Sequence, residues 1–382
     1  MELRKDLPEI FEEFADARKQ SFLTIKELKD KGMPVVGVFC TYLPREIPQA
    51  MGAAVVGLCS VSDETIPEAE KDLPRNLCPL IKSSYGFAKT DKCPYFYFSD
   101  LVVGETTCDG KKTMYEMLAE FKPVHVLELP NKQTEAGIEL YKNELIKFKE
   151  LLEEKFETTI TEEAIRAQIH ERNEIQAALH RLQYVMTLDP APVTGLDIVN
   201  TVYGSGFRMK TGELAAELNA VTDKIEAEYA AGKNIGKKKR ILLTGSPSGG
   251  AALKVVRAIE ANGGVVVCFE NCSGMKPLDP VDEENPDVYD ALARKYLNIG
   301  CSCMSPNPNR MALLEKLIDD FKVDGVVDLV LQACHTYNVE TAMVRQLVKD
   351  KKGIPYTVVE TDYSQADIGQ INTRMAAFIE LL

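Results

Sequence analysis

Short β-branched runs alternate with helical patterns along the first third of the chain. Pro34–Phe39 (PVVGVF), Ala54–Leu58, Leu101–Gly104 and Val124–Leu129 read as strands. A helix is expected over residues 7–32, with Pro8 in its first turn and Gly32 after its end. Pro44 with Arg45-Glu46 opens a short helix, and another runs from Gly110 to about Phe121. Residues 132–235 differ. They are rich in Glu, Lys, Ala and Leu at helical spacing, with a break at Pro190–Gly195.

The strand–helix alternation returns at Arg240. Ile241–Thr244, Val265–Phe269, Val326–Leu331 and Tyr356–Glu360 read as strands, with helices near 250–261, 285–297, 309–321, 337–350 and 367–381. Such alternation implies right-handed crossovers and parallel sheets. Three regions follow: an α/β unit over 1–131, a helical connection over 132–235 and a second α/β unit over 236–382. The carboxyl edges of the two sheets are expected to face a cleft between the units.

The net charge of −13 and the lack of a long basic run argue against nucleic acid or an anionic membrane as partner. Lys237-Lys238-Lys239-Arg240 reads as a solvated linker before a strand. No apolar stretch reaches the ~20 residues that cross a bilayer. The charged start of the chain does not read as a secretory signal, and a cytoplasmic location is expected. In that reducing setting, disulfides poorly explain ten cysteines.

Their positions carry the information. Cys40, Cys108 and Cys334 each follow a strand and precede a helix start, where a thiolate is favoured. Cys272 follows a strand in Glu270-Asn271-Cys272-Ser273-Gly274. Cys78 and Cys93 precede prolines, and Cys301-Ser302-Cys303 lies in a loop ending Pro306-Asn307-Pro308. Zinc knuckles need paired cysteines with two to four residues between them, and only Cys268 and Cys272 have that spacing. No C-x-x-C pair and no closely spaced ferredoxin pattern occurs. A dispersed set of ligands assembled by folding remains, beside the alternative of buried thiols. Cys268 reads as core and Cys93 as structural. Cys59 could pack the sheet edge or line a site. Cys301 and Cys303, alternating in an extended loop, would point in opposite directions, so only one is expected to bind.

Other chemistry is sparser. Gly245–Gly250 (GSPSGG) lies between strand and helix but lacks the Lys-Ser/Thr of a phosphate loop, and it reads as a tight turn. His335 beside Cys334 is a candidate proton donor or a helix-capping residue. Glu105 is a candidate cleft acid or a cap. Lys82 could place positive charge beside an anionic centre or lie on a solvated helix face.

Asn76-Leu77-Cys78-Pro79, Glu105-Thr106-Thr107-Cys108-Asp109-Gly110-Lys111-Lys112 and Gln332-Ala333-Cys334-His335 resemble segments of 2-hydroxyacyl-CoA dehydratase and benzoyl-CoA reductase subunits. The resemblance covers nearly the whole chain. It implies a cubane [4Fe–4S] cluster on Cys78, Cys108 and Cys334. The further thiols of Cys40, Cys272, Cys301 and Cys303 make the chain similar to the double-cubane cluster branch. There an [8Fe–9S] unit is held by six cysteines of one subunit. Cys40, Cys272 and one of Cys301 or Cys303 would then form the second set.

That branch implies a homodimer that reduces small molecules. Its electrons come from an ATP-hydrolysing reductase with its own [4Fe–4S] cluster. The implied architecture is α/β, with two Rossmann-like parallel-sheet domains, a helical insertion and the cluster in the interdomain cleft. A dehydratase subunit with one [4Fe–4S] cluster, an electron-transfer protein and a metal-free binding protein are the competing readings.

Overall fold

The computed structural model describes residues 21–382 apart from Lys210 and Ser248. Helix α1 covers 21–30, and the rest of the helix expected over 7–32 lies outside the described residues. The first unit contains β1 (Val35–Val38), α2 (Glu46–Ala50), β2 (Ala54–Gly57), α3 (Ile66–Ala69), α4 (Pro79–Lys89), α5 (Pro94–Phe98), β3 (Leu101–Glu105), α6 (Asp109–Leu118) and β4 (Val124–Leu127). The connecting helices are α7 (Glu135–Phe156), α8 (Glu162–Tyr184), α9 (Gly195–Ser205) and α10 (Leu214–Ala230). The second unit contains β5 (Lys239–Gly245), α11 (Gly250–Ala261), β6 (Gly264–Glu270), α12 (Val288–Leu297), α13 (Pro308–Asp320), β7 (Gly325–Leu331), α14 (His335–Arg345), β8 (Tyr356–Thr361) and α15 (Ile368–Glu380).

Each unit has one four-stranded sheet, ordered β2-β1-β3-β4 and β6-β5-β7-β8, and every pairing is parallel. The central strands are buried on both faces, which is why they read as continuous apolar runs. Strand order reverses direction between β1 and β3 in one sheet and between β5 and β7 in the other. In open parallel sheets, ligands bind beyond the carboxyl ends of the strands at such switch points.

The connecting helices have no core of their own. Tyr141, Leu145, Phe148 and Ile169 join a core with Val36 and Val103 of the first sheet. Ile175, Leu182, Ile198 and Leu218 join the core of the second sheet. The β6–β7 connection also crosses units. Its helix α12 packs into the first core through Val288, Leu292 and Leu297 before α13 returns to the second. Tyr42 donates through its hydroxyl to the Ile299 carbonyl at 2.8 Å, and the Ser305 amide donates to the Asn131 carbonyl at 2.9 Å. These contacts fasten the Cys301–Cys303 loop to the first unit.

The basic run is not wholly the solvated linker expected from the sequence, since Lys239 and Arg240 begin β5. Arg240 is buried, and its guanidinium donates to the carbonyls of Phe321, Leu188 and Met186 at 2.8, 3.0 and 2.6 Å. Buried donors need such partners, and three carbonyls freed at chain turns supply them. No helix among the described residues is long and apolar enough to cross a membrane.

Candidate functional site

A cavity of about 630 Å³ lies between the two units, among the carboxyl edges of both sheets. Its lining includes Cys40, Cys59, Cys78, Cys108, Cys272, Cys301, Cys303 and Cys334. The two remaining cysteines lie elsewhere. Cys268 is enclosed in the second core within β6, and Cys93 is buried before α5.

Local structure explains the placement. Cys78, Cys108 and Cys334 are each the residue that caps the start of a helix, namely α4, α6 and α14. The backbone amides of Leu80 and Ile81 face the Cys78 thiol, that of Lys111 faces Cys108 and that of Tyr337 faces Cys334; all favour the thiolate. Ala333 takes a left-handed conformation, with φ of 57°, to turn the chain from β7 into this position. Cys40 does not share that context. A turn over 41–43 and Pro44 separate it from α2, so no helix start faces its thiol.

The thiols fall into two groups, linked by the effect of Cys301 on Cys334. Cys78 and Cys334 hydrogen-bond to one another, which holds Cys334 down at about 6 and raises Cys78. Burial raises Cys108, whose field is shared with Cys334. In the second group, a hydrogen bond between Cys301 and Cys303 lowers the first and raises the second. Burial pushes Cys272 up to about 11 and also raises Cys40. Each group takes thiols from both units.

Cys301 and Cys303 both line the cavity, contrary to the opposite directions expected of them; residues two apart share a face even in an extended segment. The segment is a turn: the Met304 amide donates to the Cys301 carbonyl at 2.9 Å. The Cys301 sulfur lies 3.6 Å from the Tyr337 hydroxyl, and the Cys303 sulfur 3.7 Å from that of Tyr42. The Cys59 thiol donates to the Phe39 carbonyl at 2.8 Å.

The candidate acid–base residues occupy different settings. His335 is exposed at the start of α14 and lines the cavity. Glu105 lies behind the wall at the end of β3, fully buried, with neither carboxylate oxygen in a well-formed hydrogen bond among the described residues. Burial pushes its carboxyl up to about 7, against the pull of Lys111 and Arg45. Lys82 is not part of the lining. Its ammonium is engaged by Glu70 at 2.9 Å and the Arg75 carbonyl at 2.8 Å.

Lys111 and Lys276 stand near the thiols instead. Burial opposes the charge on Lys111, but Tyr115, Cys59, Cys40 and Glu105 together hold it protonated. Burial likewise opposes the charge on Lys276, and Glu270, Cys301 and Cys272 restore it. Lys111 follows Cys108 by three residues, one helical turn, a spacing that could have identified it from sequence. Among the described residues, no three His, Cys, Asp or Glu side chains converge closely enough to hold a single metal ion. The thiols are arranged instead around a wide cavity, and soft donors of this kind suit iron–sulfur chemistry.

The fold and site therefore define a protein of twin parallel-sheet units sharing a thiol-lined cavity at their paired switch points. The chain belongs to the family described as 2-hydroxyglutaryl-CoA dehydratase, D-component, whose sequence model matches residues 40–382. It is 55% identical over 383 residues to an Escherichia coli (strain K12) protein named "Putative dehydratase subunit YjiM", with 100% of each chain covered. It is 24% identical over 367 residues to the (R)-phenyllactyl-CoA dehydratase beta subunit of Clostridium sporogenes, with 94% of each covered.

Proposed function

We propose that the protein is a low-potential iron–sulfur reductase of small molecules that carries an [8Fe–9S] double-cubane cluster. The observation that carries this reading is the gathering of eight of the ten cysteines around one cavity. Cys78, Cys108 and Cys334 would hold one half of the cluster. Cys40, Cys272 and the Cys301–Cys303 pair would supply the other. The bound group would store electrons and deliver them at low potential. Lys111 and Lys276 would offset part of the charge of the thiolates. His335 at the rim and Glu105 behind the wall are the candidate proton carriers. Electrons would come from an ATP-hydrolysing reductase with its own [4Fe–4S] cluster, and the working unit would be a homodimer in the cytoplasm.

The names of both relatives favour a second reading, a dehydratase subunit with a single [4Fe–4S] cluster. Anaerobic purification with iron and sulfide quantitation separates the two. About eight irons per chain supports the double cubane and about four supports the single cluster. Turnover of acetylene or azide with the reductase and ATP then tests the reductase activity. An absence of iron refutes both readings.

A further inference from the structure

On the cavity wall formed by α2, α8 and α12, three cations converge, none of them in an ion pair among the described residues. Arg45 precedes α2, Arg172 lies midway along α8 and Lys295 lies in the last turn of α12. All three line the cavity. Lys295 is only 8% exposed. Its ammonium makes no hydrogen bond or ion pair among the described residues and rests over the Tyr296 ring at 3.8 Å. The Nε of Arg172 is buried without a hydrogen-bond partner. The Arg45 guanidinium likewise forms no ion pair among the described residues.

One buried carboxylate, Glu46, offsets part of this positive charge. Glu46 is fully buried, and both its oxygens accept from the Tyr296 hydroxyl, at 3.0 and 2.9 Å. Burial lowers Arg45 to about 10 and Lys295 to about 8; the charge of Glu46 opposes both effects and that of Arg172 adds to both. Three cations beside one carboxylate still cost free energy unless a further anion joins them. Among the thiols, Lys111 acts on Cys40 and Cys272 and Lys276 on Cys272 and Cys301, whereas Arg45 acts on Cys59.

We propose that Arg45, Arg172 and Lys295 form an oxyanion subsite that anchors a carboxylate or phosphate group of the ligand occupying this cavity. Two guanidinium forks and an ammonium match the oxygens of either group. In the function proposed above, the subsite would hold one end of the substrate while its other end faces the thiols, so that substrate role rests on that reading. The anion site itself does not require the cluster.

The test is equilibrium titration of the anaerobically purified full-length protein with succinate, inorganic phosphate and, as a neutral control, acetamide. Iron is counted on the same samples, so failure of the subsite and failure of the cluster reading are separable. Saturable binding of succinate or phosphate, without acetamide binding, is expected, and the tighter ligand identifies the group. Lys295→Met and Arg172→Met should each weaken that binding roughly ten- to a hundredfold with iron content unchanged. Absence of saturable anion binding to the unmodified protein, or an affinity in the variants equal to that of the unmodified protein, overturns the proposal. Should Arg172→Met fail to fold, Lys295→Met and the titration of the unmodified protein still decide it.

Discussion

The second sheet ends in a buried ionic network that gives a measurable prediction. Arg310 is 1% exposed and lies between two carboxylates, Glu270 and Glu340. It ion-pairs with Glu340, approaches Glu270 at 3.4 Å and donates to the Thr244 hydroxyl at 2.9 Å. Arg310→Met keeps most of the volume and removes the charge. Glu270 then retains Lys276 at 3.2 Å, whereas Glu340 retains only the Asn307 amide at 2.6 Å. Removing one partner of a buried pair costs about 3–5 kcal/mol, because the remaining charge is left uncompensated. At roughly 2–4 °C per kcal/mol for units of this size, the first melting transition should fall by about 6–20 °C. Far-UV circular dichroism under anaerobic conditions reads this directly. Adding Glu340→Gln should recover part of the loss, since it removes the stranded charge. A single variant within about 1 kcal/mol of the parent would refute the argument that this network holds the carboxyl edge.

Three further outcomes follow from the same geometry. Cys108→Ala should remove much of the iron and the visible absorption, and full retention would contradict its role as a ligand. Cys268→Ala should leave iron unchanged, because its thiol lies inside the second core; iron loss would overturn that placement. Glu105→Gln tests the buried carboxyl through the pH dependence of stability. Its folded pKa of about 7 lies above the ordinary 4.5, so the unfolded chain loses the proton first and the fold weakens as pH rises through that window. The variant should match the parent near the lower limit. Near pH 7.5 it should exceed the parent by up to about 3 kcal/mol, less whatever Lys111 loses with its neighbour. Urea midpoints that differ equally at both pH values would count against it.

The strands were legible because the central ones are buried on both faces and read as apolar runs bounded by Gly, Pro and Cys. The cysteines were legible as candidates because strand ends in such sheets point at the cleft. The direction of a side chain was less so. Cys301 and Cys303 depend on a turn whose geometry is set by Asn307 donating to the Cys301 carbonyl at 2.9 Å and by attachment to the first unit. The exchange of Lys82 for Lys111 as the nearby cation depends on tertiary packing that pairs Lys82 with Glu70. The Arg45, Arg172 and Lys295 group comes from three separate elements, and no spacing links them.

The distribution of the thiols determines what the interface between the units must do. Cys78 and Cys108 come from the first unit, while Cys334 comes from the second. Cys40 comes from the first, while Cys272, Cys301 and Cys303 come from the second. Either set is therefore dismantled if the units separate. The fold opposes that separation with a shared apolar core, in which Val36 and Leu127 of the first sheet pack with Leu292, Leu297 and Val330 of the second unit. Burying such side chains contributes about 1.5–3 kcal/mol each. A wide hinge opening would expose several at once. Access to the cavity then has to come through its mouth, with the thiol geometry held fixed during exchange of ligand.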